Sequence, residues 1–243
     1  MVLCAGFGTR MGNLTRETPK PMLELNGRPL LEYIINHLAR HGFREIAINL
    51  HFQPHIVSNY FGDGSLWNTS IRYSYEEELL GTAGGLRRMA SFLRDCDLFV
   101  AHYGDILTDQ DFSSMVAFHR THRALATVLI HERLKSNSIV TLDEDKRIIG
   151  FLERPTERER ARVSSPWVNS GVYVCSPELL DEIPADAVYD IPRDLLPKLI
   201  STGRIYGFPL TGYRCAIDSP ERLAEARSAV AKGRFLMGSQ LKS

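Results

Sequence analysis

A glycine-containing segment near the start of the chain has the composition of a phosphate-binding loop. It follows a short apolar run and reads Cys4-Ala5-Gly6-Phe7-Gly8-Thr9-Arg10-Met11. Glycines directly after a strand let backbone N–H groups approach an anion closely, and the guanidinium of Arg10 offers the paired donors that suit a phosphate. Further on, Lys20 lies between Pro19 and Pro21, although the chain has only six lysines among its 29 basic residues. We therefore expect this region to bind a phosphate-bearing ligand.

Two common phosphate loops do not fit this segment. A dinucleotide-binding fingerprint requires a third glycine at the position of Met11 and a helix that begins there. It also requires an acidic residue at the end of the second strand, where Asn49 and His51 stand instead. A Walker loop requires a Gly-Lys pair, which the chain lacks. These differences argue against a nicotinamide-dependent enzyme and against a P-loop NTPase.

The histidines do not form a recognisable catalytic or zinc-binding pattern. His51 and His55 flank the end of a strand, and His119 and His122 stand near the end of a helix, but the chain has no HExxH motif. It also has no Gly-x-Ser-x-Gly nucleophile elbow. We interpret these histidines as packing or surface residues.

Four further polar segments follow in order along the chain. They are Glu78-Leu79-Leu80-Gly81-Thr82-Ala83-Gly84, Tyr103-Gly104-Asp105, Glu153-Arg154-Pro155 and Asn169-Ser170-Gly171. Asp105 follows a predicted strand, and the carboxyl edge of a parallel strand is where open α/β sheets place ligand chemistry. The residues alone leave local structural roles open, with Thr82 as a helix cap and Asn169 in a bulge or turn.

Taken together, the glycine segment and the Pro-Lys-Pro element resemble the signature of the sugar-nucleotide pyrophosphorylases, which make NDP-sugars from sugar 1-phosphates. The four later segments resemble further elements of this family, in the same order along nearly the whole chain. The resemblance implies a nucleotidyltransferase that uses an NTP, a sugar 1-phosphate and Mg²⁺. It assigns the nucleotide to Ala5, Gly6, Gly8, Thr9, Glu78, Gly81 and Thr82, with the nucleobase at the Glu78–Gly84 segment, catalysis to Arg10, Lys20 and Arg154, the sugar to Glu153, Asn169 and Gly171, and the metal to Asp105. Asp218 is the candidate for the second metal ligand.

Two positions depart from the family pattern. Arg154 replaces the lysine expected at the sugar phosphate, which keeps the charge but changes a point donor into a planar fork. When the chain is aligned on Pro220, the second metal-binding aspartate of the family falls on Ala216. Either Asp218 reaches the metal instead, or Asp105 and triphosphate oxygens hold Mg²⁺ with water, or activity is reduced or lost. Asp218 is also a candidate N-cap of the last helix.

The identity of the substrates follows only from the resemblance. The short chain and the Leu-Gly-Thr-Ala-Gly sequence resemble most the mannose or heptose 1-phosphate guanylyltransferases, which makes GTP the favoured nucleotide. A uridylyltransferase of the same family and a catalytically silent regulator that binds an NDP-sugar are the alternatives. The length leaves no room for the C-terminal β-helix of longer members, so we expect no acyltransferase activity. A homo-oligomer is compatible with this interpretation.

Alternating apolar and amphipathic segments predict the elements that position these residues. Buried strands are expected at Met1–Ala5, Ile46–Leu50, Ile71–Tyr75, Leu98–His102, Ala126–His131, Ser138–Leu142, Arg147–Leu152 and Val168–Cys175. Helices are expected at Leu30–His41, Pro54–Phe61, Ala83–Leu93, Pro177–Glu182, Ile191–Thr202 and Pro220–Lys232. This order predicts a Rossmann-like three-layer α/β/α fold with a mostly parallel, mixed central sheet. We expect one domain at 1–233, with a nucleotide-binding lobe at about 1–124, a sugar-binding lobe at about 125–233 and a tail at 234–243.

Composition and charge argue against several classes of partner. The 29 Lys plus Arg balance 29 Asp plus Glu, so a nucleic acid or an anionic membrane surface is not an expected partner. The four cysteines form no CxxC pair, which is typical of a reducing compartment. The chain has no apolar stretch long enough to span a membrane and no secretory pattern at its start, so we expect a cytoplasmic protein.

Overall fold

The computed structural model describes residues 1–134, 136–185 and 187–235, except for the side chains of Thr9 and Arg10. These residues contain thirteen strands: β1 Val2–Leu3, β2 Glu24–Leu25, β3 Arg28–Pro29, β4 Glu45–Leu50, β5 Ser70–Tyr75, β6 Phe99–Tyr103, β7 Ile106–Thr108, β8 Ala126–Glu132, β9 Ser138–Leu142, β10 Ile148–Glu153, β11 Trp167–Cys175, β12 Ile205–Pro209 and β13 Arg214–Ala216. The same residues contain eight α-helices: α1 Leu30–Arg40, α2 Pro54–Phe61, α3 Gly81–Arg88, α4 Ala90–Leu93, α5 Phe112–Thr121, α6 Glu157–Arg160, α7 Leu196–Leu199 and α8 Pro220–Ala231. None of these described helices has the length and apolarity needed to cross a membrane.

Two compact units divide the described chain. Unit A comprises Met1, Leu79–His102 and Phe112–Thr211. Unit B comprises Val2–Glu78, Tyr103–Asp111 and the described residues from Gly212 on. Each unit is therefore assembled from segments far apart in the sequence. The lobe boundary near residue 124 stays a prediction.

Unit B is built around three parallel strands. Strand β4 lies between β1 and β5, with Ile48 opposite both Val2 and Tyr73. Helix α1 forms because its apolar residues recur at helical spacing, and all of them are buried: Leu30, Leu31, Ile34, Ile35 and Leu38. Two short antiparallel pairs, β2 with β3 and β7 with β13, complete the strands of this unit. The carboxyl end of β1 leads into the predicted phosphate-binding region, and His51, just after β4, contacts Phe7 of that region edge-on.

Four strands of unit A form a sheet in the order β12-β8-β11-β6. Strand β11 runs antiparallel to both neighbours, and its fully buried Tyr173 lies opposite Ala101 and Val128. Strand β12 is parallel to β8, and β9 and β10 form a separate antiparallel pair. The register of β11 against β8 shifts between Asn169 and Tyr173, which marks a bulge at the predicted sugar-binding turn.

The predicted mixed, mostly parallel sheet is confirmed, although several element boundaries differ. The pairings within the three strands of unit B and the four strands of unit A include three parallel and two antiparallel ones. The predicted strand Met1–Ala5 shortens to Val2–Leu3, and the predicted helix Ala83–Leu93 starts at Gly81 and is interrupted at Met89. Pro177–Glu182 is a 3-10 helix, and only Leu196–Leu199 of the predicted helix Ile191–Thr202 is α-helical.

Candidate active site

The glycine segment forms a loop that lies directly beside the Pro-Lys-Pro element. Gly8 and Gly12 adopt φ of +65° and +57°, a region that glycine enters at little cost. The Gly6 N–H donates to the Cys4 carbonyl over 2.9 Å and closes a tight turn at the end of β1. A Cβ at Gly8 would lie 3.2 Å from the Cβ of Lys20. The structure therefore brings together two motifs that the sequence places twelve residues apart.

Lys20 and Asp105 form an ion pair within unit B. The Lys20 Nζ donates to the Asp105 Oδ2 over 2.5 Å, and the two side chains are only 11% and 26% exposed. Lys20 begins a short 3-10 turn, Lys20–Met22, and Asp105 lies two residues after the end of β6. The pair places a cation that suits phosphate next to a carboxylate that suits a divalent metal. Both residues carry roles that the resemblance assigns, and those roles stay predictions.

Asp218 lies on the segment next to Asp105, and it does not cap the last helix. Strand β13 pairs with β7, and the Ile217 N–H donates to the Asp105 carbonyl over 2.8 Å. The N-cap of α8 is Ser219, whose side chain accepts a hydrogen bond from the backbone N–H of Arg222. The alternative of Asp218 as N-cap is therefore wrong, and its role toward a metal stays open.

The carboxylates at this position fit a magnesium ion only with help from a substrate. Among the described residues, no group of three or more His, Cys, Asp or Glu side chains is placed to hold a metal. Mg²⁺ needs only one or two protein carboxylates, because it keeps several waters and takes oxygens from substrate phosphates. Asp105 is partly exposed and has Asp218 on the neighbouring segment, so this donor set suits that ion.

A buried polar network supports the start of the loop, and the sequence reasoning missed it. The Asn49 Oδ1 accepts the Cys4 N–H over 2.9 Å, and the Asn49 Nδ2 donates to the Glu76 Oε1 over 2.8 Å. Asn49 and Glu76 are only 3% and 4% exposed. The available signal was a polar residue inside the apolar run of β4, since buried polar groups need dedicated partners.

In unit A, the segment assigned to the nucleobase docks against residues 189–191, a turn that leads into the π-helix Ile191–Leu195. The Asp190 Oδ1 accepts both the Thr82 N–H and the Thr82 hydroxyl, each over 3.1 Å. The Ile191 N–H donates to the Thr82 Oγ1 over 2.8 Å. The Tyr189 carbonyl accepts the Ala83 N–H over 2.8 Å. The predicted role of Thr82 as a helix cap is therefore wrong, because Leu80 is the N-cap of α3 and Thr82 lies inside its first turn, where it contacts a distant turn instead. Its role toward a nucleotide stays a prediction.

Gly81 is required for this docking for two separate reasons. Its φ is +75°, and a Cβ at this position would lie 2.6 Å from the Tyr189 carbonyl oxygen. A contact that short forces the backbone of one segment to move. The two segments can therefore keep this docked geometry only if position 81 has no side chain.

We expect Gly81→Ala to lower the free energy of unfolding by about 2 kcal/mol or more, because a left-handed backbone and a backbone clash act together. Gly203→Ala is the matched control in the same unit, since its φ is +65° and nothing lies within 4 Å of the added Cβ. The control should cost about 1 kcal/mol, from the conformational effect alone. Urea unfolding of the two variants measures the difference, and equal losses would contradict the clash.

The predicted sugar-phosphate element, Glu153-Arg154-Pro155, lies at the end of strand β10, and Arg154 has a positive φ. Glu153 pairs with Ser138 across the β9–β10 ladder, and burial raises the pKa of its carboxyl, against the lowering effect of Arg154. Arg154 adopts φ of +50°, and its N–H donates to the Asn137 carbonyl over 2.5 Å. Its side chain is exposed. Non-glycine residues in this region are uncommon and concentrate at functional positions.

The predicted sugar-binding turn is held by hydrogen bonds of Asn169. Its Oδ1 accepts the Gly171 N–H over 3.0 Å, and its Nδ2 donates to the Tyr173 hydroxyl over 2.7 Å. Gly171 has φ of +79°, which fits the bulge in β11. The structural role of Asn169 in a turn is therefore present, and its contact with a sugar stays a prediction.

The predicted site residues fall into two groups. Those in unit B are Ala5, Gly6, Gly8, Thr9, Arg10, Lys20, Glu78, Asp105 and Asp218. Those in unit A are Gly81, Thr82, Glu153, Arg154, Asn169 and Gly171. The assignments of Thr9 and Arg10 depend on side chains that lie outside the described part of the chain.

A family comparison covers nearly all of these residues. The Nucleotidyl transferase family model matches residues 1–228, which include every predicted site residue. The chain belongs to the nucleotidyl transferase family. The resemblance drawn from its sequence motifs is thereby confirmed. Nucleotidyl transferases of this kind generally use a divalent metal.

Curated relatives of this nucleotidyl transferase include enzymes for two different bases. It is 35% identical to a UTP–glucose-1-phosphate uridylyltransferase of Synechocystis sp. over 217 residues, which cover 84% of the chain and 55% of the relative. It is 31% identical to a mannose-1-phosphate guanylyltransferase of Mycobacterium tuberculosis over 241 residues, which cover 96% of the chain and 64% of the relative. The chain thus spans less than two thirds of the length of either relative.

Solved structures confirm the fold of this nucleotidyl transferase. A putative glucose-1-phosphate thymidylyltransferase from Bacillus anthracis, crystallised with a sucrose, superposes with a TM-score of 0.85 at 19% identity and covers 98% of this chain and 96% of its own. HddC from Yersinia pseudotuberculosis complexed with GMP-PN gives a TM-score of 0.78 at 22% identity and covers 94% and 97%. The predicted three-layer α/β fold is consistent with both.

Proposed function

We propose that this protein joins a sugar 1-phosphate to an NTP and releases pyrophosphate. The observation that carries the proposal is the ion pair between Lys20 and Asp105 beside Gly8. This contact places the predicted phosphate-binding loop, a cation that suits phosphate and a carboxylate that suits a metal close together within unit B. The family match over residues 1–228 supports the same reaction.

The reaction needs alignment and positive charge rather than a general base. An oxygen of the sugar phosphate, already anionic at neutral pH, forms a bond to the α-phosphorus. The bond from that phosphorus to the pyrophosphate oxygen breaks, and pyrophosphate leaves with the electron pair. Lys20 would meet the charge that develops on pyrophosphate, Arg10 would hold the triphosphate and Arg154 the sugar phosphate. Asp105 and Asp218 would hold Mg²⁺, which when bound supplies further positive charge to the phosphates.

The remaining assignments complete the proposal. The nucleotide would contact the residues Ala5, Gly6, Gly8, Thr9, Glu78, Gly81 and Thr82. The sugar would contact the residues Glu153, Asn169 and Gly171. These sets would correspond to a nucleotide-binding lobe at about 1–124 and a sugar-binding lobe at about 125–233.

We favour GTP with mannose or heptose 1-phosphate as the substrate pair. The Mycobacterium tuberculosis relative, a mannose-1-phosphate guanylyltransferase, aligns over 96% of the chain, which supports this choice. The second candidate is a uridylyltransferase, because the Synechocystis relative shares 35% identity. A silent NDP-sugar-binding regulator is a third, favoured by Ala216 at the second metal position and by Arg154 in place of lysine.

A substrate panel tests the proposed function directly. The protein is incubated with Mg²⁺ and each of GTP, UTP, dTTP and CTP against mannose, heptose, glucose and N-acetylglucosamine 1-phosphates, and pyrophosphate release is followed. We expect release with GTP and a mannose-type or heptose-type sugar phosphate. Release only with UTP would replace the favoured pair, and no release from any pair, together with NDP-sugar binding, would favour the regulator.

A further inference from the structure

The turn at residues 189–191 occupies the hydrogen-bonding groups that begin helix α3. The first N–H groups of a helix have no partners within the helix itself. Here the Thr82 N–H goes to the Asp190 carboxylate, while the Ala83 and Gly84 N–H groups go to the Tyr189 carbonyl over 2.8 Å and 3.0 Å. In return, the Tyr189 N–H donates to the Leu80 carbonyl over 2.9 Å. Two segments far apart in sequence thus dock through their backbones.

Asp190 completes this docking with its side chain. The Thr82 hydroxyl donates to its Oδ1 and accepts from the Ile191 N–H, so the hydrogen-bonding capacity of Thr82 is directed toward the turn. The Asp190 Oδ2 lies 3.4 Å from an Arg193 guanidinium nitrogen, which neutralises part of its charge. The Asp190 side chain is only 29% exposed, so its carboxylate is partly buried against the segment that it contacts and does more than pair with Arg193 at the surface.

The same carboxylate also lies within electrostatic reach of the predicted sugar element. The pKa of Glu153 is raised mainly by its burial, and the charge of Asp190 adds to that rise. Asp190, Thr82 and Glu153 all belong to unit A. Asp190 therefore contacts the predicted nucleobase segment at Thr82 and also raises the pKa of Glu153 in the predicted sugar-binding set.

We infer that Asp190 is a positioning residue that fixes the backbone of residues 80–84 in the conformation that receives the nucleobase. The inference rests on the proposed nucleotidyl transfer and deepens it, because it names a residue outside the substrate contacts that sets nucleotide affinity. The Thr82 hydroxyl then serves the site through Asp190, and the contacts of residues 80–84 with the nucleotide come from the other groups of the segment. The role depends on where one carboxylate oxygen lies rather than on its charge.

Two variants separate the position of the oxygen from its charge. Asp190→Asn keeps an acceptor oxygen at the same distance from the backbone and removes the charge, whereas Asp190→Glu keeps the charge and moves the oxygen by one methylene. We expect Asp190→Glu and Asp190→Ala to raise the KM for the NTP about tenfold, the scale of losing a charge-assisted hydrogen bond, at little changed kcat. Asp190→Asn should stay within about twofold of the parent protein in KM. Asp181→Ala, which removes an exposed aspartate paired with Arg94 in the same unit, is the matched control.

Several outcomes would overturn the inference. An unchanged KM for Asp190→Glu and Asp190→Ala would do so, as would a loss confined to kcat or to the melting temperature. A KM for Asp190→Asn as high as that for Asp190→Ala would show that charge, not position, is required. If Asp190→Ala does not fold, the comparison of Asn with Glu decides alone.

Nucleotide binding keeps this test separate from the proposed reaction. Calorimetric titration of the parent protein and the same variants with GTP and UTP gives Kd without turnover. If the parent protein binds a nucleotide but releases no pyrophosphate from any substrate pair, the proposed function fails while the order of Kd values still tests Asp190. If the parent protein turns over and the variants match it in both KM and Kd, the inference fails while the proposed function stands.

Discussion

Lys20→Ala is expected to lower turnover by about a hundredfold or more while leaving nucleotide affinity nearly unchanged. The ammonium group of Lys20 is largely buried beside the glycine loop and contacts Asp105. A charge held in such a place acts most strongly on the charge that develops as pyrophosphate leaves, since little water screens it. Pyrophosphate release at saturating substrates gives the turnover, and calorimetric titration of the NTP gives the affinity.

Lys198→Ala is the matched control for that measurement. Lys198 is half exposed and pairs with Glu182, so its removal takes away one positive charge without touching the loop. It should retain the turnover of the parent protein. If Lys20→Ala turned over as fast as Lys198→Ala, the proposed mechanism would be contradicted. A large loss of nucleotide affinity in Lys20→Ala alone would assign Lys20 to ground-state binding instead of to the transition state.

Local motifs were the part of the candidate site that could be recognised from the sequence. The glycine loop, the Pro-Lys-Pro element and the Gly-Asp dipeptide each carry their information within a few residues. The alternation of apolar runs predicted strands β1, β4, β5, β6, β8 and β11 but missed β12, which pairs with β8. The contact between Lys20 and Asp105 was not predicted, since the resemblance gave the two residues separate roles and they are 85 positions apart. Only the fold places such residues side by side.

The supporting residues Asp190 and Asn49 were missed because their hydrogen-bond partners are distant in sequence and no local pattern indicates them. Asp190 meets Thr82 across 108 positions, and Asn49 meets Cys4 across 45. An Asp before Ile-Pro is typical of many turns and does not by itself indicate a role. The role of Asp190 arises because the first N–H groups of α3 have no acceptor within the helix and need one from another segment. Strands β7 and β13 escaped prediction for a similar reason. Each has only three residues, too few for a period to show.

Helix boundaries failed where tertiary contacts outweigh local preference. The predicted helix Ala83–Leu93 extends back to Gly81, because the turn at 189–191 supplies acceptors for the N–H groups of its first residues. It is then interrupted at Met89, and no feature of the sequence explains the interruption. The segment Ile191–Thr202 contains Pro192 and Pro197, which remove N–H donors and divide it into short helical turns.

Asp105→Asn is expected to lower turnover by about a hundredfold or more at millimolar Mg²⁺, because a neutral amide neither holds the ion nor balances the charge of Lys20. Asp218→Asn should instead raise the Mg²⁺ concentration for half-maximal rate about tenfold, as expected for one of two carboxylates. Asp145→Asn, an aspartate that is 69% exposed, is the control and should leave both quantities unchanged. Titrating Mg²⁺ against pyrophosphate release measures all three variants.

The position of Ala216 gives this prediction its sharpest form. Ala216 is the position on which the family's second metal-binding aspartate falls, and it pairs with Ile106, the residue after Asp105. Ala216→Asp in the Asp218→Asn background should therefore restore the original Mg²⁺ requirement. An unchanged requirement in Asp218→Asn would remove Asp218 from the metal site and leave Asp105 with triphosphate oxygens. Rescue by Ala216→Asp would show that the family's second carboxylate has moved by two residues along the chain and kept its chemistry.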